Sequence, residues 1–423
     1  MSLFDYDARP VTPPVLVVGR ASPGAYAIRD FLSRNGRPYR WHDVDQDGAL
    51  LPDGAAVDLD RLPVCILPDG TQLAGATIER VAAGLGMVAA PSLAEYDLAI
   101  VGAGPAGLAA AVYAASEGLR TVMVECLAPG GQAGTTSTIE NYLGFPQGIS
   151  GSSLAADATI QARRFGAEIL LARPAVGVAS DGDCYLVELS DGARIHAHAL
   201  LLATGVEWRR LDVAGIDDLL GAGVYYGAGP SEARAMRDGH VIVVGGGNSA
   251  GQAVVRFSRY ARKVTLLARS ELSKSMSRYL IDHVSVIPNA EVLTGAQVVG
   301  VEADSRLRHV LVEVAGAPGV SRMPGDGLFI CIGGTPRTEG TSRLGLATDA
   351  AGYLLTGGAL TDGTVPVAGW PLTRQPLPLE TNFPGVFAAG DVRSGSTKRC
   401  ATAIGEGAMA IALVHQRLAE IAL

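Results

Sequence analysis

The chain has 423 residues, of which 48% are hydrophobic and 18% are charged, and its formal net charge at pH 7 is −8. This length allows two or three domains, the composition excludes a disordered chain, and the acidic balance argues against a nucleic-acid partner. Glycine is abundant, with 54 residues, which predicts many tight turns or ligand sites lined by backbone.

Two stretches bear on the compartment and the membrane. Residues 1–10 carry Asp5, Asp7 and Arg9 and have no apolar core of signal-peptide length, so we expect a cytoplasmic protein. Residues 98–116 carry no charge, but glycines and a proline near their start favour a strand, a turn and a buried helix over a membrane span. We therefore expect no membrane partner.

The first 90 residues predict a small α/β domain. Its predicted elements are strands at 15–19, 39–43 and 62–67, helices at 25–35 and 77–85, and a turn at 68–70. This order, with Pro63 before a core strand, resembles the thioredoxin or glutaredoxin fold. In that fold a CxxC pair follows the first strand, where this chain has Ser22-Pro23-Gly24-Ala25, so no thiol chemistry is expected there. Cys65 is expected to be a small core residue.

After a short linker at 87–95 the pattern changes to a nucleotide-binding fingerprint. A strand leads into the turn Gly102-Ala103-Gly104-Pro105-Ala106-Gly107, which is followed by a helix and a second strand. The first two glycines let the backbone approach a pyrophosphate, and the third lets helix and strand pack closely. Glu125 ends the second strand where a carboxylate can hold a ribose diol, so this unit predicts dinucleotide binding.

The same layout recurs further along the chain. A strand at 241–244 is followed by Gly245-Gly246-Gly247-Asn248-Ser249-Ala250, a helix, and a strand at 263–268. A second nucleotide fold implies a second nucleotide. This strand ends without an acid and is followed by Arg269 and Lys274, which suit a 2′-phosphate, so we expect NADPH, with NADH as the alternative. Neither cation decides the matter alone, because each could be an ordinary solvated side chain.

Together these motifs resemble the low-molecular-weight thioredoxin reductase family from Tyr96 to Leu423. The resemblance implies an α/β fold with two Rossmann-like (three-layer ββα) nucleotide-binding domains beside the small thioredoxin-like α/β domain, and a homodimer. The implied domains are 1–90, a discontinuous FAD-binding domain at 96–208 and 326–423, and an NADPH-binding domain at 209–325. A strand at 327–330 would return the chain to the FAD sheet. The further family stretches are Gly130-Gly131-Gln132, Ile139-Glu140-Asn141-Tyr142-Leu143-Gly144-Phe145-Pro146, Ala203-Thr204-Gly205 and Gly385-Val386-Phe387-Ala388-Ala389-Gly390-Asp391.

The resemblance also implies which residues bind the cofactors. Gln132 and Asn141 would reach the ribityl and isoalloxazine region of FAD, Asp391 would hold a ribityl hydroxyl, and Val176 would lie near the adenine. The full set implied for FAD is Gly102, Gly104, Gly107, Glu125, Gly131, Gln132, Asn141, Val176, Thr204, Gly205, Gly390, Asp391, Arg399, Cys400 and Ala401. The set implied for NADPH is Gly245, Gly247, Asn248, Ser249, Ala250, Arg269 and Lys274.

One part of the family pattern is missing. Members carry a redox CxxC just before the second fingerprint, and Gly227 and Pro230 stand in the place of its cysteines here. Disulfide exchange needs a thiolate nucleophile, so we expect no thioredoxin reduction by an internal dithiol. The cysteines are far apart in sequence and predict neither another CxxC nor a metal site; they are Cys65, Cys126, Cys184, Cys331 and Cys400.

Three further features are interpreted one by one. Cys331 lies in an apolar strand and is expected in the core. Cys400 follows Arg399 near the predicted flavin edge, where a helix start could lower its pKa, but a packing role is favoured. Residues 357–378 form a Pro/Gly-rich stretch around Trp370, for which a lid or interface near the flavin is favoured.

These observations favour an enzyme, an FAD-dependent oxidoreductase that takes hydride from NADPH and passes electrons from the flavin directly to an unidentified small-molecule or protein acceptor. No acid–base residue is predicted, because the histidines follow no catalytic spacing. Two alternatives remain open. One is an electron-transfer or redox-sensing module that docks a partner through the N-terminal domain, and the other is a disulfide reductase that borrows the dithiol of a partner.

Overall fold

The computed structural model describes residues 13–48, 51, 56–228, 230–361 and 370–421. Its strands are β1 Val15–Gly19, β2 Tyr39–Asp43, β3 Val64–Ile66, β4 Gln72–Leu73, β5 Glu95–Val101, β6 Thr121–Glu125, β7 Glu168–Leu171, β8 Ala175–Asp181, β9 Cys184–Leu189, β10 Arg194–Leu202, β11 Val206–Trp208, β12 Val224–Tyr226, β13 His240–Val244, β14 Lys263–Ala268, β15 Ala290–Thr294, β16 Ala296–Ala303, β17 Leu307–Val314, β18 Val320–Pro324, β19 Gly327–Ile330, β20 Gly334–Pro336 and β21 Val386–Ala388. Its helices are α1 Pro23–Arg34, α2 Ile78–Gly84, α3 Pro105–Ser116, α4 Gly151–Arg164, α5 Pro230–Ala235, α6 Asn248–Phe257, α7 Arg278–Ser285 and α8 Cys400–Ile421. Within these ranges no helix is both long and apolar enough to cross a membrane.

The N-terminal unit is a four-stranded sheet with the order β2-β1-β3-β4. β1 and β2 run parallel, whereas β3 is antiparallel to β1 and to β4. The predicted strands and helices of this segment are present, and its likeness to the thioredoxin fold stays a prediction. Cys65 is fully buried, as expected of a core residue, and burial raises the pKa of its thiol to about 12.

The first nucleotide unit is built on a seven-stranded sheet with the order β7-β6-β5-β10-β9-β8, in which β21 also pairs with β10. β5, β6, β7, β10 and β21 are parallel, so their carboxyl ends meet at one edge. The parallel strands pack on one face against α3, α4 and α8, and on the other face they share an apolar core with β8 and β9, the antiparallel strands that continue the same sheet. The uncharged stretch 98–116 forms the end of β5, the turn and α3, which confirms the prediction of a strand, a turn and a buried helix.

The second nucleotide unit is a five-stranded parallel sheet with the order β12-β19-β13-β14-β15. Helices α6 and α7 cover one face, and the three-stranded antiparallel sheet β16-β17-β18 covers the other. The predicted α/β fold with two Rossmann-like nucleotide units is therefore confirmed.

The predicted return of the chain to the FAD sheet at 327–330 is wrong. These residues form β19, which lies between β12 and β13 in the second sheet. β19 is buried on both faces, and an apolar run of this kind is equally typical of a central strand in either parallel sheet. The chain leaves the second unit only after Ile330 and returns through β20, which pairs with β11 in a two-stranded antiparallel ribbon.

The N-terminal unit packs against the first nucleotide unit through the end of α1. Arg34 Nη2 donates to the backbone oxygen of Gly131 at 2.8 Å, and Asn35 Nδ2 donates to that of Leu127 at 3.0 Å. Ala172 joins the apolar core of the N-terminal unit. This contact reaches the loop that follows β6.

The start of α1 packs against the second nucleotide unit. The ring of Tyr26 meets the ring of Tyr225 edge to face, with centroids 5.4 Å apart. A Cβ at Gly221 would lie 2.6 Å from the Tyr26 Cβ, so the two segments approach closely. Asp43, whose side chain is 4% exposed, forms an ion pair with Arg306. The N-terminal unit therefore bridges both nucleotide units.

Within the stretch 357–378, Trp370 and Arg374 pack at the end of α8; residues 362–369 fall outside the described ranges. Trp370 Nε1 donates to the Arg374 backbone oxygen at 2.6 Å, and Arg374 Nε donates to Glu420 at 2.6 Å. Glu420 belongs to the last turn of α8, whereas Cys400 begins it, and 20 residues of helix span about 30 Å. Trp370 and Arg374 therefore do not form a lid or interface near the flavin, and for the rest of the stretch this role stays a prediction.

Candidate functional site

The first candidate site is the turn between β5 and α3. Gly102 has a φ of +104°, and a Cβ there would lie 2.4 Å from the backbone oxygen of Ala203; at Gly107 a Cβ would lie 1.9 Å from the Gly102 oxygen. The fold itself requires glycine at both positions. At Gly104, by contrast, φ is −69° and nothing lies within 4 Å of an added Cβ. The space beyond Gly104 is open, so the fold gives no steric reason for glycine there.

Helix α3 begins at this open space without a side-chain cap. Its N-cap residue, Gly104, has no side chain that could accept from the first backbone N–H groups of the helix. Helices α1, α2 and α4 are instead capped by the side chains of Ser22, Thr77 and Ser150. The uncapped backbone N–H groups and the positive end of the helix dipole attract an anion. The arrangement fits the pyrophosphate of a dinucleotide.

Glu125 lies buried beside the same turn, at the end of β6. Its Oε2 accepts from the backbone N–H of Ala103 at 2.8 Å, and its Oε1 accepts from that of Leu127 at 2.8 Å. A carboxylate offers about four acceptor positions, so Glu125 can still accept ribose hydroxyls. Cys126 lies 3.5 Å from the Glu125 carboxylate, and burial together with this charge raises the pKa of its thiol to about 11.

Distant stretches of the chain converge on the start of α3. The Gly130 backbone N–H donates to the Ala103 oxygen at 2.7 Å, which holds the predicted Gly131-Gln132 segment over the turn. Further approaches, measured from a Cβ built on the glycine, are Gly131 to Gly104 Cα at 3.1 Å, Gly102 to Thr204 Cα at 3.1 Å and Gly390 to Ala106 Cβ at 3.0 Å. The structure therefore brings together predicted residues that lie hundreds of positions apart.

The remaining residues predicted for FAD differ in how firmly they are held. Gln132 Nε2 donates to the Val206 oxygen at 2.8 Å, close to Gly205, which has a φ of +65°. Asp391 is half-buried, and burial raises the pKa of its carboxyl. Asn141 and Val176 are exposed, and their roles stay predictions.

Cys400 is the first residue of α8 and is half-buried. Burial, together with the nearby Asp391 charge, raises the pKa of its thiol to about 11. The alternative of a lowered pKa for this thiol is therefore wrong. Arg399 and Ala401 are exposed on either side of it.

The second candidate site repeats the features of the first. Gly245 has a φ of +145°, and a Cβ there would lie 2.2 Å from the Cys331 oxygen. Gly247 is the N-cap of α6, makes no side-chain hydrogen bond, and has nothing within 4 Å of an added Cβ. Asn248 Oδ1 accepts from the backbone N–H of Ser277 at 2.7 Å, Ser249 is exposed and Ala250 is buried. This helix start also fits a pyrophosphate.

Arg269 and Lys274 are exposed after the end of β14. Ser275 Oγ donates to the Gly246 oxygen at 2.8 Å, which holds this loop against the second fingerprint. The loop therefore carries both cations to the nucleotide side of the sheet. Such an arrangement suits a phosphate group on the ribose.

Gly227 stands at the place predicted for the first cysteine of a CxxC, and Trp208 fills the space that a side chain would need there. Gly227 has a φ of +78°, its N–H donates to the Ile330 oxygen at 3.0 Å, and a Cβ there would lie 2.8 Å from the ring of Trp208. A side chain at this position would clash with the indole as well as strain the backbone. The side chain of Pro230 lies outside the described part. All five cysteines are free of disulfides.

One residue of the site was missed from the sequence. Arg256, on α6, is 8% exposed, and its guanidinium donates to the Ala228 oxygen and, from Nη2 at 3.1 Å, to the Thr135 oxygen. Burial lowers the pKa of Arg256. It thereby joins the segment before Pro230 to the first nucleotide unit. The sequence feature that could have indicated this role is a cationic residue on the apolar face of α6, next to Phe257.

The chain is similar to known proteins over most of its length. A family model described as pyridine nucleotide-disulphide oxidoreductase matches residues 96–407. A thioredoxin reductase of Listeria monocytogenes is 34% identical over 322 residues, which cover 74% of this chain and 91% of the relative. One from Bacillus subtilis is 32% identical over 329 residues, covering 77% and 96%.

The chain is also similar to solved structures of thioredoxin reductases. The thioredoxin reductase of Lactococcus lactis, described in its FR conformation, aligns with a TM-score of 0.68 at 28% identity and covers 77% of this chain and 99% of that one. The thioredoxin reductase of T. acidophilum aligns with a TM-score of 0.68 at 27% identity, with the same coverage. The family match begins at residue 96 and so leaves out the N-terminal unit.

Proposed function

The chain belongs to the pyridine nucleotide-disulphide oxidoreductase family as a thioredoxin reductase-like member, and we propose that it is an FAD-dependent NADPH oxidoreductase that works without an internal dithiol. Bound FAD would supply two-electron transfer from NADPH to an acceptor. The acceptor would take these electrons directly, without a protein thiol between. A cytoplasmic homodimer with no nucleic-acid or membrane partner stays a prediction.

The two helix starts support binding of two dinucleotides. At Gly104 and at Gly247 a helix begins without a side-chain cap and faces open space. The first would hold the pyrophosphate of FAD, with Glu125 accepting from its ribose hydroxyls. The second would hold the pyrophosphate of the nicotinamide nucleotide.

The choice of NADPH over NADH rests on charge. β14 does not end on an acid that could hold an unmodified ribose diol, and Arg269 and Lys274 stand exposed on the loop held against the second fingerprint. A 2′-phosphate would pair with these cations, whereas NADH offers them no partner. NADPH is therefore the proposed donor.

The observation that carries the proposal is the chemistry at Gly227. The chain contains no CxxC, and at this position the left-handed backbone and the indole of Trp208 take up the space of a side chain. A family member of this kind has a place to bind both nucleotides but no thiolate to exchange with a disulfide. This supports direct transfer to the acceptor over reduction of thioredoxin.

The packing of the N-terminal unit bears on the alternative of a docking module. Ser22 and Tyr26, at the start of α1, pack against Gly221 of the second nucleotide unit. In a thioredoxin this helix start would present the CxxC to a partner. Because this surface is used inside the chain, docking of a separate protein through it is not favoured.

An acceptor screen tests the proposal. The full chain, loaded with FAD, is given NADPH and one of four acceptor classes: oxygen, a quinone, a disulfide protein, or that disulfide protein with a small dithiol protein. We expect NADPH consumption with oxygen or the quinone and none with the disulfide protein alone. Rapid reduction of the disulfide protein without added dithiol would contradict the proposal, and a rate that appears only with the dithiol protein would favour the borrowed-dithiol alternative.

A further inference from the structure

Three side chains of ligand type meet on the sheet of the first nucleotide unit, away from both fingerprints. Glu95 begins β5, Cys184 begins β9, and His198 lies in β10. Cys184 Sγ is 3.1 Å from Glu95 Oε1 and 3.4 Å from His198 Nδ1, and His198 Nε2 is 3.1 Å from Glu95 Oε1. The donor atoms of all three lie within 4.8 Å of one another.

The strand register explains this meeting. β10 runs between β5 and β9, where Ala197 pairs with Tyr96 on one side and with Tyr185 on the other. His198, the residue after Ala197, and Cys184, the residue before Tyr185, are therefore cross-strand neighbours on one face. Glu95 pairs with His196 of β10 and so projects on the same face. Backbone ladders, not mobile loops, set the positions of the three side chains.

We propose that Glu95, Cys184 and His198 bind a zinc-class divalent cation. Sulfur, imidazole nitrogen and carboxylate oxygen together form a donor set typical of Zn²⁺, whereas Mg²⁺ and Ca²⁺ take oxygen donors. Donor atoms of a tetrahedral zinc site lie roughly 3.3 to 3.7 Å apart, given the usual Zn–S, Zn–N and Zn–O distances. His198 approaches Cys184 through Nδ1 and Glu95 through Nε2, and a cation binds only one of these nitrogens, so the imidazole must turn to bring that nitrogen to the other two donors. Three protein ligands leave a fourth position for water.

The position of the cluster assigns the cation a structural role. Glu95 lies at the start of β5 and the first fingerprint follows its end, and seven residues of strand span about 20 Å. A cation bound here joins β5, β9 and β10 at the edge opposite the nucleotide site. The side chains are partly accessible, 43% for Glu95 and 28% for His198, so a cation can enter from solvent. Sequence spacing predicted no metal site because the ligands lie 89 and 14 positions from Cys184.

Zinc retention tests this proposal on the full chain. The protein is treated with a chelator, incubated with zinc chloride, desalted, and analysed for zinc and for folded state. We expect about one zinc per chain in the wild type and loss of most of it in Cys184→Ser and in His198→Asn. His309→Asn is the matched control, because His309 is also a half-buried strand histidine, 24% exposed and 3.3 Å from Glu302. It should retain zinc as the wild type does.

A second measurement on the wild type covers the case in which the variants fail to fold. Zinc should protect Cys184 from alkylation, as read by mass spectrometry, and leave the labelling of Cys400 unchanged. It should also raise the thermal unfolding midpoint without altering the rate at which NADPH reduces the flavin. Equal zinc retention by the wild type and Cys184→Ser, or unchanged labelling of Cys184 with zinc, would show that these groups form only a hydrogen-bonded cluster.

Discussion

Alanine at Gly104 should separate nucleotide binding from folding at the first fingerprint. The φ of −69° and ψ of −177° at this residue are open to alanine, and an added Cβ meets nothing within 4 Å. The fold should therefore lose only about 0.5 to 1 kcal/mol, because alanine is a poorer N-cap than glycine. The methyl group would, however, occupy the space through which a pyrophosphate approaches the N–H groups of α3.

The expected loss of FAD affinity follows from the hydrogen bonds displaced. Moving the pyrophosphate outward by a methyl group breaks roughly two charge-assisted bonds to backbone N–H groups, each worth about 1.5 to 3 kcal/mol. The sum of about 3 to 6 kcal/mol corresponds to an FAD dissociation constant raised roughly 10² to 10⁴-fold. A change of this size exceeds the effect on folding several times over.

Titration of the apoprotein with FAD, followed by flavin fluorescence, measures this change, and thermal unfolding without FAD measures the fold. Gly247→Ala is the matched control: Gly247 is also an extended N-cap glycine with nothing within 4 Å of an added Cβ, so this variant should bind FAD normally and weaken only NADPH. Gly107→Ala should unfold, because its Cβ would lie 1.9 Å from a backbone oxygen. Wild-type FAD affinity in Gly104→Ala would refute the assigned site.

Three further predictions follow from charge and burial. Arg269→Ala should raise the KM for NADPH about tenfold, because it removes one exposed charge-assisted hydrogen bond, and should leave the KM for NADH unchanged. Equal effects on both donors would reject the 2′-phosphate assignment. Arg306→Ala leaves the buried Asp43 carboxylate without its cation and should lower the free energy of unfolding by about 2 to 4 kcal/mol in urea denaturation, whereas the exposed control Arg308→Ala should change it by less than about 1 kcal/mol. Since the pKa of Cys400 is raised from 9.0 to about 11, its alkylation at neutral pH should be about 100-fold slower than that of free cysteine and should rise with pH up to about 11; labelling at the free-cysteine rate would contradict the burial argument.

Much of the fold could be predicted because the limits of local sequence patterns coincide with the limits of the strands in the folded chain. The strands predicted at 15–19, 39–43 and 263–268 have the bounds of β1, β2 and β14. Each is a short run that ends at a turn or a change of polarity, so pattern and structure share their limits. The two glycine fingerprints were recognisable for a related reason: the backbone at Gly102 and Gly245 leaves no space for a side chain.

The errors arise where information from distant parts of the chain is needed. The apolar residues of β19 fit the interior of either parallel sheet, and only its pairing with β12 and β13 decides which. β4 has two residues, too few to show alternation. Arg256 is buried because Thr135, from another unit, supplies an acceptor, and the Glu95, Cys184 and His198 cluster depends on the register of three strands. None of these partners is visible in the local sequence.

The most direct test of the proposed function is an anaerobic dithionite titration of the FAD-loaded full chain. With Gly227 in place of a cysteine and five cysteines free of disulfides, flavin should be the one redox centre, and the titration should consume about two electrons per FAD. Thiol alkylation should leave this number unchanged. Uptake of about four electrons per FAD, reduced to about two in Cys400→Ser, would establish a redox-active thiol pair and contradict direct transfer from flavin to acceptor.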